Sequence, residues 1–363
     1  MQKEIISDKQ GILLIFFFFI GSSSIFAQGL EAKKDLWLAF MLGIVMVFPM
    51  VLIYARLHHI FPNQDLFDIL EICFGKLLGK IMIVYYTWSV YFIASDILVN
   101  YGQFFKVVSL SDTPQIVPII MFTILCIWAI KEGIEVLGRF SEIFFIVPVL
   151  TLLLIILLLI PNMDINHIRP MLQRGFQPVL EGAFSVFTFP FAQIVVFTMV
   201  LTNFQIKESS YKVYTIGVLM GAGYLFILSL TNILVLGAEI AETVYYPSYA
   251  AVSRIHVTDI IDRMEIVLTI VFVLGGVIKI SLLLLCTCKG ITKLCGCKNY
   301  RWIVIPISLL TINLAFFQYD SVMYYFEFNR EIWPYYHLPF HLIFPMILWI
   351  VAEIKNKKGK NNI

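Results

Sequence analysis

The sequence predicts an all-α polytopic membrane protein with about ten transmembrane helices, on three observations. Composition is the first: of 363 residues, 60% are hydrophobic and only 14% are charged, whereas about a quarter of the residues of a globular domain are charged. The second is a series of apolar runs separated by short polar connectors. The third is that small residues interrupt the first run and a proline interrupts the sixth. We therefore expect residues 1–363 to form a single transmembrane domain.

Apolar runs of about 17–25 residues, the length that crosses a bilayer core, define the predicted spans. They lie approximately at 10–31, 36–55, 79–105, 114–131, 140–161, 179–204, 212–237, 264–288, 302–319 and 335–352. We expect a five-plus-five inverted repeat, with the first repeat at about 10–161 and the second at about 179–319. The last helix, 335–352, flanks the second repeat and leads into a basic cytoplasmic tail at 353–363.

The first span contains a predicted break. Its apolar run 12–20 leads into Gly21, Ser22, Ser23 and Ser24, and serine hydroxyl groups bond locally to the backbone in competition with helix. Non-helical backbone at membrane depth is tolerated where it is buried in protein or lines a cavity, and transporters use such backbone groups to hold substrate. The segment therefore predicts a discontinuous helix and the first candidate ligand site.

Two other interpretations of this segment stay open. Gly and Ser are common where membrane helices pack closely, so these residues can serve packing alone. The segment also resembles a signal peptide, because Lys3 and Lys9 precede the apolar run and Ile25-Phe26-Ala27 resembles a weak cleavage site. Cleavage would leave an odd helix unpaired in the repeat, which favours a membrane span.

The sixth span carries the second predicted break, at Thr188-Phe189-Pro190-Phe191. Proline has no amide donor and keeps the residue before it out of the helical region, which frees carbonyl groups one turn back. Two interrupted spans at corresponding positions of two repeats indicate a ligand site between them near the bilayer midplane.

The distribution of Lys and Arg predicts the orientation. If the N-terminus is cytoplasmic, the inner segments hold about twice as many Lys and Arg residues as the outer ones, so we expect both termini inside. The net charge of +2 gives no basic excess that would indicate nucleic acid. Connector 56–78 predicts an interfacial amphipathic helix, and Tyr245-Tyr246-Pro247 in the outer connector 238–263 predicts a cap over an outer vestibule.

Two ionisable residues lie within predicted spans, Asp96 in the third and Lys279 in the eighth. Each would cost roughly 2.5–3.5 kcal/mol at a helix centre on insertion scales, so each should face the protein interior or find a partner. Either side chain can instead extend to the interface if it lies nearer the membrane surface. Because intramembrane ions mark pathways by default, both are candidate coupling residues.

Recognisable catalytic and metal-binding patterns are not found in the sequence. It contains no Gly-x-Ser-x-Gly, His-Glu-x-x-His or phosphate-loop motif, so we expect no enzyme and no cofactor. Structural zinc sites usually have two to four residues between paired cysteines, whereas a single residue lies between the cysteines of each Cys-x-Cys pair here, so we expect no metal site. The paired cysteines are Cys286 with Cys288 and Cys295 with Cys297.

His337 and His341 share a predicted helix face near the outer membrane boundary, and such a position is typical of an aromatic belt.

Four segments together resemble the endospore germination permeases, the B subunits of nutrient germinant receptors within the amino acid–polyamine–organocation superfamily. Their order and spacing along nearly the whole chain carry the resemblance. They are the Gly-Ser-Ser break of span one, the segment Gly133–Arg139, the run Pro178–Gly182 leading into Phe189-Pro190-Phe191, and Tyr246-Pro247-Ser248. Many members carry an acidic residue just after the Phe-Pro-Phe break, where this chain has Gln193.

The resemblance implies a leucine-transporter-like fold, a place in the inner membrane of a bacterial spore, and two companion proteins, an A subunit and a C-subunit lipoprotein. It implies a subunit that senses a small polar nutrient, most simply an amino acid. We expect amides near Ser22 to receive a carboxylate or hydroxyl, and carbonyls near Thr188 and Phe189 to receive an ammonium group. The remaining expected ligand contacts are Gly21, Ser23, Ser24, Tyr85, Trp88, Ser89, Phe92 and Gln193.

An alternative function is a secondary amino acid transporter, perhaps proton-coupled, that works without partners, since fold alone does not decide function. In leucine-transporter-like folds, spans one and eight form a sodium site beside the unwound backbone. The resemblance therefore implies that the Lys279 ammonium group replaces that ion. A rival interpretation is that Lys279 pairs with Asp96 for stability.

Overall fold

Each predicted span coincides with a helix or a broken pair of helices in the computed structural model. The structure describes residues 6–108, 112–202, 209–255, 263–297 and 299–360, and within those ranges it contains helices and connecting turns without strands. The end of the basic tail, residues 361–363, and residues 256–262 of the second long outer connector lie outside the described residues.

The α-helices number sixteen in the described ranges and follow the predicted order. They are α1 (Asp8–Ser23), α2 (Leu36–Ile60), α3 (Leu66–Val108), α4 (Ile116–Glu132), α5 (Ile134–Phe144), α6 (Ile146–Leu159), α7 (Gln177–Thr188), α8 (Phe197–Val200), α9 (Ser209–Leu236), α10 (Ala238–Thr243), α11 (Pro247–Val252), α12 (Glu265–Cys295), α13 (Val304–Phe317), α14 (Val322–Glu331), α15 (Trp333–Leu338) and α16 (Phe344–Lys360).

Six helical stretches of the described chain are long and apolar enough to cross a membrane, as judged by length and composition. They are Leu30–Ile60, Ile134–Asn162, Gln177–Val200, Ser209–Leu236, Glu265–Cys295 and Trp333–Lys357. Helix α13 is a shorter apolar helix, and α1 and α4 have 16 and 17 residues.

Helix α1 occupies the centre of the bundle and packs mainly against α12 and α9. Ser7 begins it with a capping box, in which the Ser7 hydroxyl accepts from the Gln10 amide and the Gln10 side chain accepts from the Ser7 amide. The run Phe16–Phe19 is buried on every side, as a helix that is apolar all round should be. This central packing favours a membrane span over a signal peptide.

The break in the first span begins three residues later than the sequence predicts. Gly21, Ser22 and Ser23 are still helical, and the Ser24 amide still donates to the Ile20 carbonyl at 3.1 Å. Gly21 instead serves close packing, because a Cβ there would stand 2.3 Å from the carbonyl oxygen of Gly275 in α12. The packing interpretation is therefore right for Gly21, and the chain leaves the helix after Ser24.

The non-helical segment that follows is tied to the second repeat. Ser248 of α11 donates its amide to the Ile25 carbonyl at 3.2 Å and its hydroxyl to the Phe26 carbonyl at 3.3 Å. The Gln28 amide donates to the Ser229 hydroxyl at 3.1 Å. Two serines therefore satisfy backbone groups that the break frees, and a 3₁₀ helix, Leu30–Asp35, then leads into α2.

The break in the sixth span lies where the sequence predicts it. Helix α7 ends at Thr188, and Phe189 is extended, with φ −137° and ψ 120°. A 3₁₀ helix, Phe191–Val196, follows Pro190 and continues into α8. The restriction that proline places on its predecessor accounts for the position of this break.

The predicted amphipathic helix of connector 56–78 is the first part of α3. Its apolar face is buried through Leu66, Ile69, Leu70 and Cys73. It continues into the membrane span across a kink at Gly75, where φ is 80°, a conformation that favours glycine.

Candidate functional site

A cavity of about 530 Å³ lies between the two breaks. It opens on the side of connector 238–263, which the sequence predicts to be the outer side, and Tyr245 and Pro247 of that connector line it. The other lining residues used below are Ser22, Glu31, Asp96, Ile97, Asn100, Thr188, Phe189, Glu242, Glu327, Asn329, Arg330 and Trp333.

The Lys279 ammonium group lies beside the cavity floor, where the two broken spans meet. Lys279 is fully buried, and its Nζ donates to the Ser22 hydroxyl at 2.6 Å. The same Nζ lies 4.7 Å from the ring centroid of Phe18 and 5.1 Å from that of Phe189. Aromatic faces attract a cation at such distances. One charge therefore contacts the last turn of α1 and the break of the sixth span.

Asp96 lines the same cavity from α3. Its Oδ1 accepts from the Tyr319 hydroxyl at 2.6 Å and from the Asn329 amide at 3.2 Å. Among the described residues, neither Asp96 nor Lys279 is in an ion pair within 4.0 Å. The predicted pair is therefore two separate charges that border one cavity.

Tyr101 of α3 is a buried residue near the end of α1 that the sequence analysis missed. Its one hydroxyl hydrogen is shared between the Gly21 carbonyl and the Phe272 carbonyl, the latter at 2.6 Å. Its ring stacks on Phe272 with 4.0 Å between centroids. It thus joins α1, α3 and α12 at one point, and no sequence signal separates it from the other aromatic residues of α3.

Four predicted contacts on α3 lie away from the cavity. Tyr85 and Trp88 are about half exposed on the periphery of the helix bundle, with 50% and 45% of their surface accessible. Ser89 lies within hydrogen-bond distance of His337, and Phe92 packs against Trp333. In their place, Asp96, Ile97 and Asn100 form the α3 wall of the cavity. These wall residues lie about two to three turns further along α3 than the predicted ones, because helical spacing alone does not set the level at which a long helix meets its neighbours.

Three further predicted residues are buried behind the cavity wall. The Gln193 amide group and the hydroxyl groups of Ser23 and Ser24 have no hydrogen-bond partner in the described ranges. Thr188 and Phe189 do line the cavity. As ligand contacts, all of the predicted residues stay predictions.

Acidic side chains outnumber basic ones among the described residues of the cavity wall. Glu31, Asp96, Glu242 and Glu327 line it beside one basic residue, Arg330. In addition, Glu242 pairs with Lys33 at 3.0 Å and Arg330 with Glu331 at 3.1 Å. A wall of this kind attracts a cationic group such as an ammonium.

The sequence suggested that His337 and His341 belong to an aromatic belt at the membrane surface. The structure instead buries both side chains within the protein. Each is only 1% exposed, so they face the protein and not the lipid headgroups. Their element, a short α-helix followed by a π-helical turn at Pro339–Ile343, turns this helix face toward α2 and α3.

The cysteine pairs divide between two environments. Cys286 and Cys288 are buried, and Cys295 and Cys297 are exposed. The described residues contain no group of three or more His, Cys, Asp or Glu side chains that could hold a metal ion.

Comparison with known proteins relates this chain to spore germination proteins. A sequence profile of the family described as "Spore germination protein" matches residues 5–321. Spore germination protein KB of Bacillus subtilis (strain 168) is 27% identical over 100% of this chain and 98% of its own length. The putative spore germination protein YfkT of the same organism is 23% identical over 90% of this chain and 89% of its own.

Solved structures with the same fold are transporters. Mhp1, a nucleobase-cation-symport-1 family transporter solved in a closed conformation with bromovinylhydantoin bound, superposes with a TM-score of 0.70 at 11% identity, over 89% of this chain and 74% of Mhp1. MhsT in complex with L-phenylalanine gives 0.66 at 10% identity, over 96% of this chain and 89% of MhsT. The fold is therefore leucine-transporter-like, with spans one and six broken.

Proposed function

The chain belongs to the spore germination protein family, and we propose that it is the germinant-sensing, transporter-like B subunit of a spore nutrient receptor. The observation that carries this proposal is the cavity between the two breaks, which brings Ser22, Asp96, Thr188 and Phe189 together on one wall. Family and fold are both of the permease type, so the role is one of binding and response and not of catalysis.

The ligand is a small polar nutrient, most simply an amino acid. Asp96 presents a carboxylate to the cavity, which suits an ammonium group. The Ser22 hydroxyl, with the Lys279 ammonium group behind it at 2.6 Å, suits a carboxylate. A zwitterion would thus bind between two opposite charges. The bound L-phenylalanine of MhsT, a protein of the same fold, supports this class of ligand.

In the cell, we place this multi-pass protein in the inner membrane of the spore with both termini cytoplasmic. Its partners are an A subunit and a C-subunit lipoprotein, which would receive the change that the nutrient causes. Accordingly, spores with this chain but without its A and C companions should fail to respond to the nutrient. A full response from this chain alone would contradict the receptor assignment.

The central experiment is a germination screen of a deletion strain against single nutrients, complemented by variants. We expect the strain to lose its response to one nutrient class. Ser22→Ala should restore it with a sensitivity lowered at least tenfold, because the hydroxyl group between Lys279 and the cavity is gone. The matched control is Ser308→Ala, a buried serine of α13. Equal sensitivity of both variants at equal protein abundance would reject the site.

A stand-alone secondary amino acid transporter is the second candidate, favoured by the transporters that share the fold. Uptake of labelled amino acids into vesicles that contain this chain alone separates the two. Sustained concentrative uptake indicates a carrier. Saturable binding without uptake indicates a sensor.

A further inference from the structure

Buried polar side chains lie one after another from the cavity toward the inner end of the protein. The series begins at Trp333, which lines the cavity. It continues through His337, His341, Tyr54 and His58, and none of these five side chains belongs to a residue more than 4% exposed. Apart from Trp333, they lie outside the cavity wall described above.

The two histidines connect α15 to α2 and α3. His337 Nδ1 lies 3.3 Å from the Ser89 hydroxyl. The rings of His337 and His341 stack at 15°, with 5.4 Å between centroids. The Tyr54 hydroxyl donates to the main-chain carbonyl of His341 at 2.9 Å. A π-helical turn carries His341, and such turns are frequent at functional sites.

The inner part of the series lies between α2 and α9. The rings of Tyr54 and Tyr214 are 6.4 Å apart, and the Tyr214 hydroxyl lies 3.1 Å from His58 Nε2. His58 is two residues before the end of α2 at Ile60. At about 1.5 Å of rise per residue, the stretches 333–341 and 54–58 cover about 18 Å, more than half of a bilayer core of about 30 Å.

Several atoms beside this series have unused hydrogen-bonding capacity. The Nε2 atoms of His337 and His341, the Tyr86 hydroxyl and the Gln193 amide have no partner in the described parts of the chain. The 3₁₀ helix that carries Gln193 packs against the π-helical turn of His341. Each such buried group destabilises the fold compared with one that has a hydrogen-bond partner. Apolar side chains would stabilise the bundle better, so these groups point to a role other than packing.

The charged and titratable groups around the histidines come from each helix packed against them. Helix α12 contributes Lys279, and α9 contributes Tyr214. Helix α3 contributes Tyr86 and carries Asp96 about two turns from Ser89. At the inner end, Arg56 of α2 pairs with Glu353 of α16 at 2.6 Å. The series thus runs from an acidic cavity to an ion pair at the inner side.

We propose that His337 and His341 form a proton relay that connects the outer cavity, through Tyr54, Tyr214 and His58, to the inner side. Each imidazole accepts a proton on one ring nitrogen and releases one from the other, so one proton moves and no other bond changes. Where two groups are further apart than a hydrogen bond, a bridging water completes the step. The relay needs no nutrient, so its test is independent of the proposed function.

The test measures proton entry into liposomes that contain the purified full-length chain and an internal pH-sensitive dye. A potassium gradient with valinomycin makes the interior negative and drives protons inward. We expect flux above that of protein-free liposomes, and a fall of at least tenfold in His337→Gln and in His341→Gln, which keep a polar group but cannot carry the charge. Tyr54→Phe, which removes one oxygen atom, should lower the flux several-fold.

Two controls test packing and the loss of a histidine as such. Phe344→Leu changes an aromatic residue at the start of α16 that packs on Tyr86, and His167→Gln removes a histidine of the outer connector 162–178. Both should keep the flux of the unaltered protein, with all variants monodisperse in detergent. The relay is overturned if the unaltered protein conducts no more than empty liposomes, if both histidine variants keep full flux, or if Phe344→Leu loses as much.

Discussion

The outer and inner halves of the bundle are built differently. The outer half holds an open, acidic cavity bordered by the two breaks. At the inner end, ion pairs join neighbouring elements over a packed core. Arg56 contacts Glu353 at 2.6 Å, and Lys293 contacts Asp68 at 2.6 Å and Glu71 at 3.1 Å.

This difference indicates that a solute enters the cavity from the side of connector 238–263, which the sequence predicts to be the outer side. The inner ion pairs are partly exposed, with side-chain exposures of 25–34%, and such pairs contribute no more than about 1 kcal/mol each. The ion pairs therefore contribute only a small part of the closure of the inner end, which the packed core otherwise provides. Between the two halves, α1 and α12 cross closely at Gly21 and Gly275, and this crossing has no room for an added methyl group.

The largest expected effect is at that crossing. In Gly21→Ala the new methyl group would meet the Gly275 backbone at 2.3 Å, and such overpacking costs about 1–3 kcal/mol or more. We expect a clearly lower thermal unfolding midpoint in detergent. Gly223→Ala in α9 is the matched control, because a Cβ there has no atom within 4 Å. If the Gly21→Ala protein is as stable as this control, then the contact between α1 and α12 at Gly21 and Gly275 is not tightly packed.

The second effect concerns Lys279, whose Nζ contacts the Ser22 hydroxyl beside the cavity. Lys279→Met should lower the nutrient response at least tenfold, and Lys279→Arg should keep part of it. Lys279 is not in an ion pair among the described residues, and an unpaired charge is costly to bury, so its replacement by an apolar side chain should not lower protein abundance. The response of the unaltered protein should not depend on sodium. A strict sodium requirement, or a fully responsive Lys279→Met, would exclude the ammonium group as a replacement for the ion.

The rival stability account makes a different prediction for the same charge. If Lys279 and Asp96 matter only by neutralising each other, then the double change Asp96→Asn with Lys279→Met should restore what either single change removes. Because the two groups are not in direct contact, we expect no such rescue. The measurement is nutrient response and membrane abundance for all three variants.

A smaller effect is expected at the inner ion pairs. Lys293→Met removes the contacts with Asp68 and Glu71 and should open the inner end. Cys288, which is buried five residues earlier in α12, should then react with a maleimide two- to three-fold faster. Arg301→Met, at an exposed position, is the control. An unchanged rate at Cys288 would show that these ion pairs do not close the inner end.

The smallest effect is a pH dependence outside the membrane. Burial, and then the carboxylate of Asp68, raise the pKa of Asp65 from 3.8 to about 6. The folded protein therefore binds this proton more tightly than the unfolded chain. That stability is fully present below about pH 4 and is lost as the pH rises through about 6.

Asp65→Asn tests this pH dependence. It keeps the oxygen that accepts from the Asp68 amide at 2.9 Å and removes the charge. Its thermal midpoint should exceed that of the unaltered protein at pH 7.5, and the difference should close toward pH 4. Asp164→Asn changes another capping carboxylate, one that is exposed, and should show no such difference. A constant difference at all pH values would contradict the raised pKa.

The sequence by itself determined the order of the apolar helices and the place of the second break. Hydrophobic length decides whether a segment crosses a bilayer, and Pro190 interrupts its helix through its own covalent structure. These properties are local, so they are visible in the chain. The ions Asp96 and Lys279 stood out for a similar reason, since a charge inside a span is costly wherever the span packs.

Only the tertiary structure decided which residues meet. Gly21 looked like part of a break and is a helix crossing, because the approach of Gly275 is set by the packing of α12 on α1. Tyr101 and Ser248 hold the carbonyl groups around the first break. Asp96 lies about three turns after Tyr85 on nearly the same face of α3, and Asp96 is the one at the level of the cavity. In a chain that is apolar on almost every helix face, the hydrophobic pattern does not specify the level at which neighbouring helices meet, so the interlocking of side chains specifies it.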